Sequence, residues 1–434
     1  MRYFTTERLW IAALIAMALG IHIQPTLDLG SGEIRFSLSD AVALLLAPFA
    51  VWLVLQNRHF WSRRETWIAL GLIAASSVVM TIGLVKAGMS PSGISGWAWV
   101  KYVGWYVLLY YGVLGVIAGS LASEAAINWF VRVFVFGHCV LILTYILTQS
   151  AGISLPGSGN PRMSGLVDNP NAYGLSLLCA LALMLGSRER VVARMPKFTH
   201  ELICGLLVAG ILFTRSLGAL GGFVVFAMIA LAVQRDFSRI VRVSCIALAL
   251  YALPWAGNSL VRLAGFDAAR SIDSIGAKLS DPDKYAFSWS VRVESNSRAF
   301  ALWRETPLFG SGLGVFYEKE KTAAQNGKEA IQVHNTLIWI LAEFGLVGLC
   351  VFGVLFVAVA LYLLRASWRL RGTDPPGAGL ALAGLMILGG WATMSLAHEM
   401  LYQRLPWLIV GTYIGYVARA RVRLLRLRNR RESL

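Results

Sequence analysis

The stretch IQVHNTLIWILAEFGLVGL, residues 331–349, decides how this chain is read. It begins polar, carries His334, and then turns into an apolar run. Upstream, over residues 261–333, Asp, Glu, Lys, Arg and Asn recur in a chain that is otherwise apolar. A titratable imidazole therefore stands where a soluble-looking insert re-enters a hydrophobic span. Ionisable groups at such boundaries are costly and tend to be functional, and imidazole is the side chain whose charge changes near neutral pH.

Working outward, the 434 residues are 57% hydrophobic and 14% charged, with mean hydropathy +0.63. Soluble domains carry about 25% charged residues, so a single soluble core is excluded. A span needs about 20 apolar residues. Twelve windows qualify: 9–23, 37–55, 67–86, 97–120, 127–148, 172–187, 200–215, 217–233, 243–261, 335–364, 378–397 and 403–420. The expected fold is an all-α polytopic membrane bundle. It divides into nine spans over 1–261, a loop with short helices over 262–334, and three spans with a basic tail over 335–434. The stretch SVRVESNSRAFALWRE (290–305) has helical apolar spacing, which predicts amphipathic helices in that loop.

The net charge of +16 does not point to nucleic acid, because no basic face carries interleaved aromatics. Arg58, Arg63, Arg188, Arg190, Arg239, Arg242, Arg365, Arg369 and the tail RARVRLLRLRNRRESL instead fall in alternate connections, as the positive-inside rule produces. Both termini then lie inside, and the tail touches anionic lipid headgroups. The segments outside are 25–36, 149–171, the turn at Arg215 and the loop ending at His334. In a bacterial inner membrane, outside is the periplasm. The N-terminus has no small-residue cleavage site and reads as an uncleaved first span. The five cysteines fall in predicted spans without CxxC spacing, so neither zinc nor a disulfide framework is expected.

Several residues have the chemistry of a site. Arg215, in LFTRSLGALGGF (212–223), occupies a tight turn between two apolar runs. It is either a headgroup-facing arginine or an anion clamp, since guanidinium grips phosphate through two parallel hydrogen bonds. Arg292 is a loop arginine of the insert, and Arg298 competes for the same role. The turn PLFGSGLG (307–314) lacks the Lys and Ser/Thr of a Walker loop but is a permissive platform beneath a site. His334 is a candidate general base, with no partner at metal-ligand spacing, and Asn335 is a candidate cap for the following helix. Arg162, Asp168 and Asn171 flank the Asn-Pro turn that opens the sixth span, and are candidates to line the same outer cavity. Asp40 and Lys101 lie at outer span ends, either paired with each other or facing a ligand. Glu399, beside His398, is placed to orient a base or to form an interfacial pair.

In order along the chain come RMSGLVDNPNAYG (162–174), TRSLGAL (214–220), an arginine some 15 residues before PLFGSGLG, VHNTLIWILAEFGLVGL (333–349) and a late HEMLYQRLPWLIVG (398–411). This ordered set resembles the O-antigen ligase and polymerase superfamily of bacterial surface-polysaccharide assembly. Within it, the single-histidine HN motif, the basic tail and the chain size look most like the ligase branch. The resemblance implies a GT-C-like glycosyltransferase that works without metal or other cofactor. It would move O-antigen from undecaprenyl diphosphate to a sugar hydroxyl of lipid A–core, on the periplasmic face of the inner membrane. It places the family's two diphosphate-binding arginines on Arg215 and Arg292 and its catalytic histidine on His334. The polymerase and a protein O-oligosaccharyltransferase of the same superfamily are the near alternatives. A lipid-linked glycan transporter is the alternative from another class, though no internal repeat supports it.

Overall fold

Sequence punctuation places the helix ends. Ser95, Ser123, Asn335 and Asp374 each sit one residue before a helix, and each side-chain oxygen accepts a backbone N–H of the first turn. Such caps satisfy donors that have no partner inside the helix. In the computed structural model, all residues are described except 1, 22–25, 29–32, 36, 57–63, 91–92, 152–161, 167–168, 187–195, 235–236, 264–281, 326–332 and 433–434.

The described chain is helical apart from one short antiparallel pairing, β1 (Thr26–Asp28) with β2 (Glu33–Arg35). Nine helices precede the insert: α1 (Arg2–Gly20), α2 (Leu38–Gln56), α3 (Arg64–Gly88), α4 (Gly96–Leu121), α5 (Glu124–Ser150), α6 (Pro170–Gly186), α7 (Lys197–Thr214), α8 (Leu217–Gln234) and α9 (Phe237–Leu263). The insert contributes α10 (Pro282–Glu305) and α11 (Val315–Gln325). Then follow α12 (Thr336–Leu370), α13 (Pro375–Ser395) and α14 (Arg404–Glu432). Each of the twelve apolar windows thus holds one helix. Six helices are long and apolar enough to cross a membrane by length and composition, and four shorter apolar helices accompany them. The protein is a polytopic helical membrane protein. The amphipathic stretch 290–305 forms the second half of one continuous helix, α10, where the sequence predicts shorter pieces.

Two helices form the hub. Along α6, nearly every residue from Tyr173 to Met184 is buried, and α13 is buried along most of its length. Elsewhere large apolar side chains such as Leu45, Phe49, Trp129, Val140 and Leu147 point outward, which suits a lipid-facing surface. The crossing of α4 and α14 is set by glycine. A β-carbon at Gly115 or Gly119 would collide with the Leu408 or Thr412 carbonyl, and one at Gly411 or Gly415 with the Gly112 or Val116 carbonyl. Small residues on both faces let the backbones touch, the usual device where water supplies no driving force between helices.

The feature that positions the site is a break in α12. Gly345 adopts φ 66° and ψ −162°, outside the helical region. In an unbroken helix, Leu346 and Val347 would donate to the Ala342 and Glu343 carbonyls. Instead the glycine-rich turn after α10 inserts and satisfies all four groups. Leu346 N–H donates to the Pro307 carbonyl (2.9 Å) and Val347 N–H to Leu308 (3.0 Å). Ser311 N–H donates to Ala342 (2.8 Å) and Gly312 N–H to Glu343 (3.0 Å). Gly310, Gly312 and Gly314 all have positive φ. A β-carbon at Gly312 would lie 2.6 Å from the Ala87 nitrogen, so the turn is wedged between α3 and α12. The insert is therefore locked to the helix that begins just after His334.

Candidate active site

Arg215 is the C-cap of α7, with φ 50° and ψ 31°. Among the described residues it is the one non-glycine with positive φ. Glycine usually fills that left-handed position, and holding a side chain there costs on the order of 1–3 kcal/mol. The strain is retained because the turn to α8 is two residues long and fixed from both sides. Arg215 N–H donates to the Leu212 carbonyl (3.0 Å), and Ala219 N–H donates to Ser216 Oγ (3.2 Å), which caps α8. The guanidinium is half-buried beside Tyr145 and Tyr251, and burial lowers its pKa.

Arg162 holds this turn from outside. Its Nε donates to the Thr214 carbonyl (2.8 Å), and its Nη2 to the Arg215 carbonyl (3.3 Å) and Asn171 Oδ1 (3.1 Å). A cation on the last carbonyls of α7 also suits the helix dipole. Asn171, at the first turn of α6, thus acts through Arg162. Asp168 lies outside the described residues. Burial lowers the Arg162 pKa, and Arg215 and Arg292 lower it further by repulsion. Those two arginines therefore stand close to Arg162, although they come from the α7–α8 turn and the insert helix α10.

His334 completes the group. Its pKa is lowered by burial and by the nearby Arg292, against a smaller opposite pull from Glu399. Asn335 behaves as the expected cap, accepting from Leu337 (2.9 Å) and Ile338 (3.2 Å) N–H groups, so His334 is held at the first bend before α12. His398, which sequence reasoning noticed only as a neighbour of Glu399, faces His334 with ring centroids 6.3 Å apart and planes at 88°. Burial, Arg292, His334 and Arg162 push its pKa down to about 4.

Three sequence candidates are engaged elsewhere. Asp40 and Lys101 do not pair with each other. Asp40 accepts from Arg404 Nε (2.8 Å) and the Tyr111 hydroxyl (2.9 Å), whereas Lys101 pairs with Glu399. Lys101 also lies 4.2 Å from the Tyr402 ring, 4.9 Å from Trp97 and 5.3 Å from Trp339, in cation–π contact. Each finds its counter-ion on the late segment 399–404. Arg298 is held in ion pairs with Glu294 and with Glu320 (2.8 Å). Arg292 is instead the insert arginine whose charge is felt by Arg162, His334 and His398.

No three His, Cys, Asp or Glu among the described residues are grouped to hold a metal ion. The arrangement is a half-buried cluster of three arginines with two histidines at one end of the helical bundle. Like charges drawn together out of water repel and lose solvation, a cost that a bound anion removes.

Fold and cluster together define a polytopic helical membrane protein with arginines and histidines gathered where α6, α7, α8, α10 and α12 meet. The family model for O-Antigen ligase matches residues 202–353, about a third of the chain. This segment is similar to that family. It runs from α7 through the insert into α12, and so contains Arg215, Arg292 and His334. No curated protein matches the chain.

Proposed function

We propose that the protein is an O-antigen ligase. It would transfer O-antigen from undecaprenyl diphosphate to a sugar hydroxyl of lipid A–core at the periplasmic face of the inner membrane. The observation that carries this reading is the gathering of Arg215 and Arg292 about Arg162, with His334 beside Arg292; all of these but Arg162 lie inside the matched segment.

A lipid diphosphate is a good leaving group and needs charge stabilisation more than protonation. Preorganised arginines supply that stabilisation without a metal. A sugar hydroxyl is a weak nucleophile and gains from a base. Neutral His334 accepts the hydroxyl proton as that oxygen bonds to the anomeric carbon. The bond from the anomeric carbon to the phosphate oxygen breaks with its electron pair, and undecaprenyl diphosphate departs onto the arginines. Direct displacement inverts the anomeric configuration.

The test is to mix the pure protein in EDTA with undecaprenyl-diphosphate glycan and lipid A–core. Glycan on lipid A–core supports the ligase, whereas lengthened undecaprenyl-linked glycan identifies the polymerase. No transfer to either lipid overturns the reading. The orientation has its own test. In a chain with its five cysteines replaced, new cysteines at Ser297 and Gly372, both exposed, should label from opposite sides. Labelling from the same side would sink the periplasmic placement.

A further inference from the structure

His398 opens the late HEMLYQRLPWLIVG stretch (398–411) but was given no role in the transfer, yet it is built into the same cluster. Thr336 Oγ1 donates to the His398 carbonyl (2.9 Å) and accepts the Met400 N–H (3.0 Å). His398 N–H donates to the Met394 carbonyl (2.9 Å) at the end of α13. One threonine, two residues after His334, therefore fastens the 398–400 segment to the start of α12. On its other side the ring abuts the first turn of α8: a β-carbon added to Gly218 would lie 3.3 Å from His398 Cδ2. His398 thus stands between the base and the turn that carries Arg215.

The rings are too far apart for direct contact, with centroids 6.3 Å apart. With the planes at 88°, the in-plane nitrogens of the two rings point in different directions, so each can serve a different group of one sugar. The charged and titratable groups facing His398 are Arg292, His334 and Arg162. Burial and the two arginines disfavour a charged imidazole, and a neutral ring offers one donor and one acceptor. That pair matches a hydroxyl, whereas the arginines match a phosphate.

We propose that His398 positions the acceptor sugar, hydrogen-bonding it beside the hydroxyl that His334 deprotonates. This rests on the transfer reaction proposed above. His398 is a positioning residue and takes no proton in the reaction.

The experiment compares His398→Ala and His398→Gln in the purified full chain, with undecaprenyl-diphosphate glycan as donor and lipid A–core as acceptor. Turnover is normalised to folded protein, judged by thermal unfolding. Loss of one neutral hydrogen bond predicts about a tenfold higher acceptor KM in the alanine variant. Donor KM should stay within about twofold, within the scatter expected of a site that is not touched. Glutamine keeps a donor and an acceptor and should restore part of the acceptor affinity. The acid limb of the pH–rate profile should stay in place in both variants, because His334 sets it. An unchanged acceptor KM, an equal rise in donor KM, or a shifted acid limb overturns the inference. If the alanine variant does not fold, the glutamine variant alone decides by the same readouts. A wild-type protein that transfers nothing overturns the functional reading itself. A working wild type with unaffected variants overturns only the role of His398.

Discussion

Two sets of buried charge sit at one end of the same bundle and are organised in opposite ways. Asp40 with Arg404, and Lys101 with Glu399, are complete ion pairs. Arg162, Arg215 and Arg292 instead gather charge of one sign, with histidines kept neutral beside them. A buried pair needs nothing further and ties its helices together: Asp40 to Arg404 joins α2 to the start of α14. A cluster of one sign carries mutual repulsion, which a bound anion would offset. The difference separates charges that cancel within the bundle from charges that converge, which the proposed function assigns to the substrate. It also explains why Arg292 and Arg298, six residues apart on α10, have different roles. Arg298 is neutralised by Glu294 and Glu320, and Arg292 faces the cluster.

The largest effect should follow from His334→Ala. General-base catalysis contributes about 10²–10⁴-fold, so turnover per folded molecule should fall by that much while donor lipid still binds. A variant keeping more than about a tenth of normal turnover rules out the base role, given that range. Next come Arg215→Ala and Arg292→Ala. A charge-assisted hydrogen bond contributes roughly 1.5–3 kcal/mol, so donor affinity should weaken about ten- to a hundredfold in each. Lysine should recover only part, because it lacks the two-pronged geometry. Unchanged donor binding in both alanine variants would break the comparison at its centre.

Asp40→Ala should behave in the opposite sense. Removing one partner of a buried pair costs about 3 kcal/mol, visible as a lower unfolding midpoint in detergent. Turnover per folded molecule should hold. A stable Asp40→Ala protein with weakened donor binding would move Asp40 from the scaffold to the site. The smallest effect is on pH. Burial and Arg292 hold the His334 pKa below the ordinary 6.5. A base is active when deprotonated, so the acid limb should lie below that value. Arg292→Gln removes a repulsive cation and should move the limb upward. A downward movement would show that Arg292 does not act on His334.

The positions of the twelve apolar helices, the caps at Asn335 and Asp374, and the singular character of the α7–α8 turn were legible in the sequence. These are local properties, set by hydrophobic run length and by side chains that bond their own first turn. The break in α12 was not legible. LAEFGLVGL reads as continuous helix, and only the arrival of PLFGSGLG supplies bonds that make the break affordable. Pairing was equally hidden. Asp40 finds Arg404, and Lys101 finds Glu399, across some 300 or more residues of chain. His398 opens the HEMLYQRLPWLIVG stretch, but its place was hidden, since it lies in facing His334 beside the Thr336 fastening. Sequence alone thus determined a membrane bundle and which residues have the chemistry for transfer. Tertiary structure decided which charges cancel and which converge, because neutralisation depends on distance in space, and distance along the chain carries no information about it.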